Sequence, residues 1–102
     1  MSFTQLIEVQ DAEEQALLDH VTSWHRDQYG TAPGYLGARV LADTARPGTH
    51  VIEVNFSSRD EAQQNNQRAE TVQWARTLRD LGTVGGDAYR NFDEVGTTRD
   101  LG

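Results

Sequence analysis

The chain has no cysteine among its 102 residues, no long apolar run and no excess of positive charge. Without cysteine there is no disulfide and no thiolate metal site to reinforce a small fold. No stretch approaches the ~20 apolar residues of a membrane span. The opening MSFTQLIEVQ lacks the basic-then-apolar order of a secretory leader, so a soluble, cytoplasmic protein is expected. Acidic side chains outnumber basic ones 16 to 9, giving a net charge of −7. Nucleic acid and anionic membrane both require a positive field, and neither is an expected partner. Arginines such as Arg39, Arg46 and Arg68 are scattered along the chain instead of forming a patch.

What is present is one small domain. Apolar residues make up 36% of the chain and the mean hydropathy is −0.68. A chain of this length buries only ~60–70% of its unfolded surface, so the core of a lone copy is thin. With no covalent reinforcement, association with a second copy is the expected source of further burial. There are no repeats or low-complexity tracts; residues 1–95 read as one domain and 96–102 as a polar tail.

The pattern along the chain is strand, helix, two strands, helix, strand. Phe3 to Gln10 alternates with period two, as strands do. Asp11, three residues before Glu14, reads as the cap of a helix running to about Tyr29 and ending at Gly30. That helix carries an apolar stripe of Leu17, Leu18, Val21, Trp24 and Gln28, with His25 and Tyr29 on its shoulder. Tyr35 to Asp43 and Thr49 to Ser57 form a hairpin around Pro47-Gly48. Centring the loop on Arg46 sets Arg39 opposite Glu53 and Gly37 opposite Asn55. Ser58 and Glu61 form a capping box, so a second helix starts near Arg59. Its expected inward side is Ala62, Asn66, Ala69, Glu70, Gln73, Trp74, Thr77 and Leu81. A face so diluted with amides belongs to a shallow helix or to one lining a cavity. A glycine-rich connection then leads to a last strand over Ala88 to Val95.

The run Gly34-Tyr35-Leu36-Gly37, the Pro47-Gly48 turn, the strand Val51 to Phe56 and Ser57-Ser58 before Glu61-Ala62 resemble the antibiotic-biosynthesis-monooxygenase-like family of dimeric α+β barrels. The resemblance implies an α+β, ferredoxin-like βαββαβ fold with an antiparallel sheet that packs on the sheet of a second copy. It also implies a pocket between sheet and helices in each subunit. Members include oxygenases that oxidise aromatic polyketides with neither metal nor flavin, haem-degrading enzymes and isomerase-like relatives. Two positions depart from the pattern: Phe56 stands where tryptophan is usual, and Asn66 where histidine is common. The second helix has no histidine to ligate haem iron, so no cofactor is expected.

On this reading the partners are a second copy of the chain and a small aromatic or apolar molecule. His25, Asn55 and Asn66 are the candidate catalytic residues, handling a proton or orienting the ligand. Trp24, Tyr35, Phe56 and Trp74 are the candidate pocket walls. Each has a plainer role as well. His25 suits the carbonyls at a helix end, the tryptophans suit a small core, and Asn55 can satisfy neighbouring backbone. The histidines His20, His25 and His50 do not have metal-site spacing. The expected activity is a cofactor-independent monooxygenase acting on an aromatic or polyketide-like molecule. A non-catalytic ligand-binding or structural dimer is the alternative. If Trp24 and Trp74 fill the space between helices and sheet, the enzymatic reading falls.

Overall fold

In the computed structural model, which describes residues 2–101, the elements are β1 (Phe3–Gln10), α1 (Glu14–Gln28), β2 (Tyr35–Ala42), β3 (Thr49–Phe56), α2 (Arg59–Asn66), α3 (Ala69–Leu81) and β4 (Tyr89–Asp93), with a closing 3-10 turn at Thr98–Leu101. The strands form one antiparallel sheet in the order β2-β3-β1-β4. This is the ferredoxin-like α+β arrangement, with its second helix divided in two. No helix among the described residues is long and apolar enough to cross a membrane.

Register follows from the period-two pattern and the Pro-Gly turn. Arg39 pairs with Glu53 and Gly37 with Asn55, with a bulge between Tyr35 and Gly37. The Arg39 Nη2 to Glu53 Oε2 distance is 3.0 Å, and this pairing holds the Glu53 carboxyl below its ordinary range. All helices lie on one face of the sheet. Ile7 and Val9 of β1 and Ile52, Val54 and Phe56 of β3 point there and are buried with Leu17, Val21, Trp24 and Leu78. The opposite face carries Thr4, Leu6, Arg39, Leu41, Val51, Glu53, Asn55 and Phe92, with no helix over it.

Several local expectations need correction. The cap of α1 is Glu13, whose carboxylate accepts from the amides of Gln15 and Ala16 at 3.2 and 2.7 Å. Asp11 instead takes a left-handed conformation (φ 62°), and its N–H donates to the Gly48 carbonyl at 2.8 Å, tying the end of β1 to the hairpin loop. Leu18 lies off the buried stripe and is half-exposed. The last strand is shorter than expected, Tyr89–Asp93, and its side chains are all at least partly exposed.

The largest difference is the break between α2 and α3. Gln67 and Arg68 N–H groups donate to the carbonyls of Gln64 and Asn65, which tightens and ends α2, and Arg68 is extended (ψ 142°). Asn65-Asn66 is weak helix sequence, and the Asn65 side chain bonds Arg68 and Thr71 instead of facing along the helix. The break shifts the helical phase. Ala62 and Asn65 face inward from α2, and Trp74, Ala75 and Leu78 from α3, while Ala69, Glu70 and Gln73 face solvent. Leu78 is fully buried, and covering such a side chain is worth ~1.5–3 kcal/mol.

Candidate functional site

The helices do not close fully on the sheet. A cavity of about 330 Å³ remains, floored by Ile7, Ile52, Val54 and Phe56 and walled by Val21 and Trp24 of α1 and by Trp74 and Ala75 of α3. Phe56 and Val54 reach it because β3 alternates and their side of the strand faces the helices. Trp24 and Trp74 meet at a tilt, with ring centres 5.8 Å apart, and form walls without filling the space. Asn65, Asn66 and Thr71 bring polar groups to it from the break between α2 and α3, and Gln5, Arg79 and Tyr89 also line it. Burial pushes the Tyr89 phenol up, opposed by the nearby Arg79 charge, so its hydroxyl remains a donor.

Trp74 is held from behind. His20 stacks on it with ring centres 4.8 Å apart and 8° between planes. His20 Nε2 donates to the Trp74 carbonyl at 3.0 Å, and Trp74 Nε1 donates to the His20 carbonyl at 3.4 Å. Because a carbonyl only accepts, this exchange places the proton of neutral His20 on Nε2. Burial pushes the His20 ring below its ordinary value, with the bond to the Trp74 carbonyl pulling the other way.

The break between α2 and α3 shapes this polar part of the lining. Asn65 is almost wholly buried (3% exposed). Its Oδ1 accepts from Thr71 Oγ1 at 3.1 Å and lies 3.4 Å from Arg68 Nη1. Arg68 also donates to Gln28 Oε1 of α1 at 2.9 Å and pairs with Glu70 at 2.6 Å. Asn66 is exposed at the rim that this cavity shares with a groove lined by Phe3, Arg59, Asn91 and Asp93.

Of the residues singled out in the sequence, Trp24, Phe56, Asn66 and Trp74 line one cavity. Tyr35 sits one layer behind it, edge-on to Phe56 at 6.2 Å and to Trp24 at 6.5 Å. Its hydroxyl meets His25 Nδ1 at 2.8 Å, and burial pushes its phenol up. His25 is therefore on the outer side of Tyr35, exposed and stacked at a tilt on Tyr29. Asn55 is on the other face of the sheet, where it accepts from Thr4 Oγ1 at 2.7 Å and donates to Glu53 at 3.1 Å. Neither His25 nor Asn55 reaches the cavity. Asn65 and Thr71 are the residues that sequence reasoning missed; the three-residue step from Ala62 to Asn65 was the available signal.

Among the described residues, no three His, Cys, Asp or Glu side chains come together as a metal site. No protein-family model matches the sequence, and no curated protein is significantly similar to it. Solved structures do match in fold. SnoaB of Streptomyces nogalater, a cofactor-independent oxygenase solved as an asparagine-to-alanine variant, superposes with a TM-score of 0.72 at 16% identity over 94% of this chain and 95% of its own. A candidate antibiotic biosynthesis monooxygenase from Deinococcus radiodurans gives 0.71 at 14% identity, covering 95% of each chain. Another from Bordetella bronchiseptica gives 0.70 at 12% identity, covering 93% of this chain and 98% of its own. The chain has the fold of the antibiotic-biosynthesis-monooxygenase-like proteins.

Proposed function

We propose that the protein is a monooxygenase-like enzyme that binds a planar aromatic or polyketide-like molecule between Trp24 and Trp74 and oxidises it without a resident cofactor. The observation that carries this reading is the cavity itself, which stays open between two tryptophans with carboxamides in its lining. A flat apolar ring suits those walls, and a few polar groups fix its orientation. Asn65 and Asn66 are the orienting groups, and Phe56 and Ile52 form the floor. The mostly apolar surroundings then leave the electron-rich anion of the substrate facing dissolved oxygen. For an anthrone the balance is simple: the ring methylene becomes a carbonyl, one oxygen atom enters the product and the other leaves in water.

His25 keeps an indirect place in this scheme. It orients Tyr35, which supports Phe56 and Trp24 from behind. Asn55 belongs to the other face, where we place the contact with a second copy. That face has no helix over it, and it offers Leu6, Leu41, Val51 and Phe92 around the Arg39–Glu53 pair. A stable monomer at micromolar concentration in light scattering would refute the homodimer.

Oxygen consumption with anthrone tests the reaction. Wild type should consume oxygen, Trp74→Ala and Asn65→Leu should be strongly impaired, and His25→Ala should retain most of the rate. No consumption by wild type above the uncatalysed rate would sink the oxygenase reading. One observation favours a second reading, ligand binding without turnover: no histidine or carboxylate lines the cavity. Tight anthrone binding with no oxygen uptake would establish that alternative.

A further inference from the structure

Asn65 has an unusual set of partners for a buried amide. Its oxygen meets two donor-bearing groups, yet its Nδ2 donates to no group among the described residues. Nor is Nδ2 sealed: the only sealed, unpartnered side-chain polar atom among those residues is His50 Nδ1. Asn65 lines the cavity, and its amide nitrogen, neither bonded nor sealed, is available to a ligand there. A ligand that buries such a donor must also satisfy it, because an amide left without a partner in a dry site is costly.

Which way the amide points depends on Arg68. Thr71 could bond the carboxamide in either orientation, because a hydroxyl both donates and accepts. A guanidinium only donates. Turning the amide would set NH₂ against the Arg68 fork, two donors facing each other. Arg68 is itself held by Gln28 from α1 and by Glu70, so it cannot easily follow such a turn. We propose that Arg68 is a positioning residue that fixes Asn65 with Nδ2 toward the ligand, making the cavity selective for an aromatic ring bearing an acceptor oxygen and favouring the enolate of that ring. This deepens the function proposed above and rests on it for the identity of the ligand.

The chemistry needs no base in the cavity. A ring-methylene proton passes to water, and its electron pair delocalises onto the ring oxygen, which Nδ2 faces. Arg68, bonded to the far side of the same amide, strengthens the donor as charge builds on that oxygen. The charged and titratable groups around the cavity are Glu70 paired with Arg68, Arg79 and Tyr89 in its lining, and His20 behind Trp74 from α1.

The test is anaerobic, so that binding and ionisation are read apart from oxidation. Anthrone is titrated into the protein, and its enolate is followed by visible absorption against pH. 9,10-Dihydroanthracene, the same ring system without the oxygen, is titrated by quenching of tryptophan fluorescence. Wild type should prefer anthrone by about tenfold, the worth of one hydrogen bond made in a buried site, and should ionise it at lower pH than free solution does. Arg68→Met should lose most of both effects while binding dihydroanthracene as before, and Arg68→Lys should restore part of each. In an Asn65→Leu background, Arg68→Met should change nothing further. Equal affinity of wild type for the two ligands, or an Arg68→Met protein matching wild type in preference and ionisation, would overturn the proposal. If Arg68→Met does not fold, Asn65→Asp decides: an acceptor-only side chain should raise the ionisation pH of bound anthrone, and no change would overturn the proposal. Binding and ionisation as expected, without oxygen uptake in air, would sink only the oxygenase reading.

Discussion

Gly34 offers a measurement of how much the start of α2 depends on one missing side chain. It lies at φ 63°, and a Cβ there would stand 2.7 Å from both Glu61 Cβ and Ser57 Oγ. Glu61 Cβ is fixed to the helix backbone and cannot swing aside. The same few atoms form the cap: Ser57 and Ser58 hydroxyls donate to Glu61 Oε1 at 2.5 and 3.1 Å, and the Glu61 amide donates to Ser58 Oγ at 3.2 Å. Gly34→Ala therefore carries ~1–2 kcal/mol for the left-handed backbone and a further ~1 kcal/mol or more for the displaced cap. Gly30 is the control, with φ 85° and nothing within 4 Å of an added Cβ. Gly30→Ala should show only the backbone cost. The difference between the variants isolates the clash. Urea unfolding followed by tryptophan fluorescence, at one protein concentration, reads it as a difference in midpoint at constant slope. Equal midpoint shifts for the two variants would refute the close packing of the hairpin entry against the first turn of α2.

Three other outcomes are expected. Leu78→Ala should cost ~2–5 kcal/mol, because Leu78 is fully buried between α3 and the sheet; a loss below 1 kcal/mol in the same urea assay would contradict its core position. The half-buried His20 ring titrates below its ordinary value of 6.5, so the unfolded chain binds the extra proton first: stability should hold above 6.5 and fall as pH drops below it, until the folded ring also titrates. His20→Gln should flatten that fall, and identical pH slopes for variant and wild type would refute the assignment. Asp11→Gly should be neutral or stabilise by up to ~1 kcal/mol by relieving the left-handed residue, whereas Glu13→Ala should cost ~0.5–2 kcal/mol by removing the helix cap; the reverse order in thermal melts would restore Asp11 as the cap.

The hairpin was legible to the residue because two alternating runs and a Pro-Gly turn leave one register that keeps Ile52, Val54 and Phe56 together on the inner face. The second helix was not. Its break depends on bonds from Asn65 to Arg68 and Thr71, and on Gln28 reaching across from α1 to hold Arg68. No periodicity reports such tertiary contacts. A continuous helix extrapolated from Ala62 places Glu70 and Gln73 inside, and the break turns Thr71, Ala75 and Leu78 inward instead. For the same reason Asn66 was chosen where Asn65 is the buried amide. Helical phase sets His25 on the shoulder of α1 beside Trp24, but phase alone cannot reveal that its ring bonds the Tyr35 hydroxyl outside the cavity. Asn55 shares the more polar face of β3 with Val51 and Glu53, and the helices cover the more apolar one.

The sheet is a partition one backbone thick, with the cavity on one side and the uncovered face on the other. Along β3 the two compartments are served by alternate letters of the same word: Ile52, Val54 and Phe56 inside, Val51, Glu53 and Asn55 outside. Substitutions can therefore retune cavity contacts and surface contacts independently, one letter at a time. A single inserted or deleted residue cannot, because it would exchange the two sets at once and bring Glu53 and Asn55 to the cavity side. This strand should tolerate drift in identity but almost none in length.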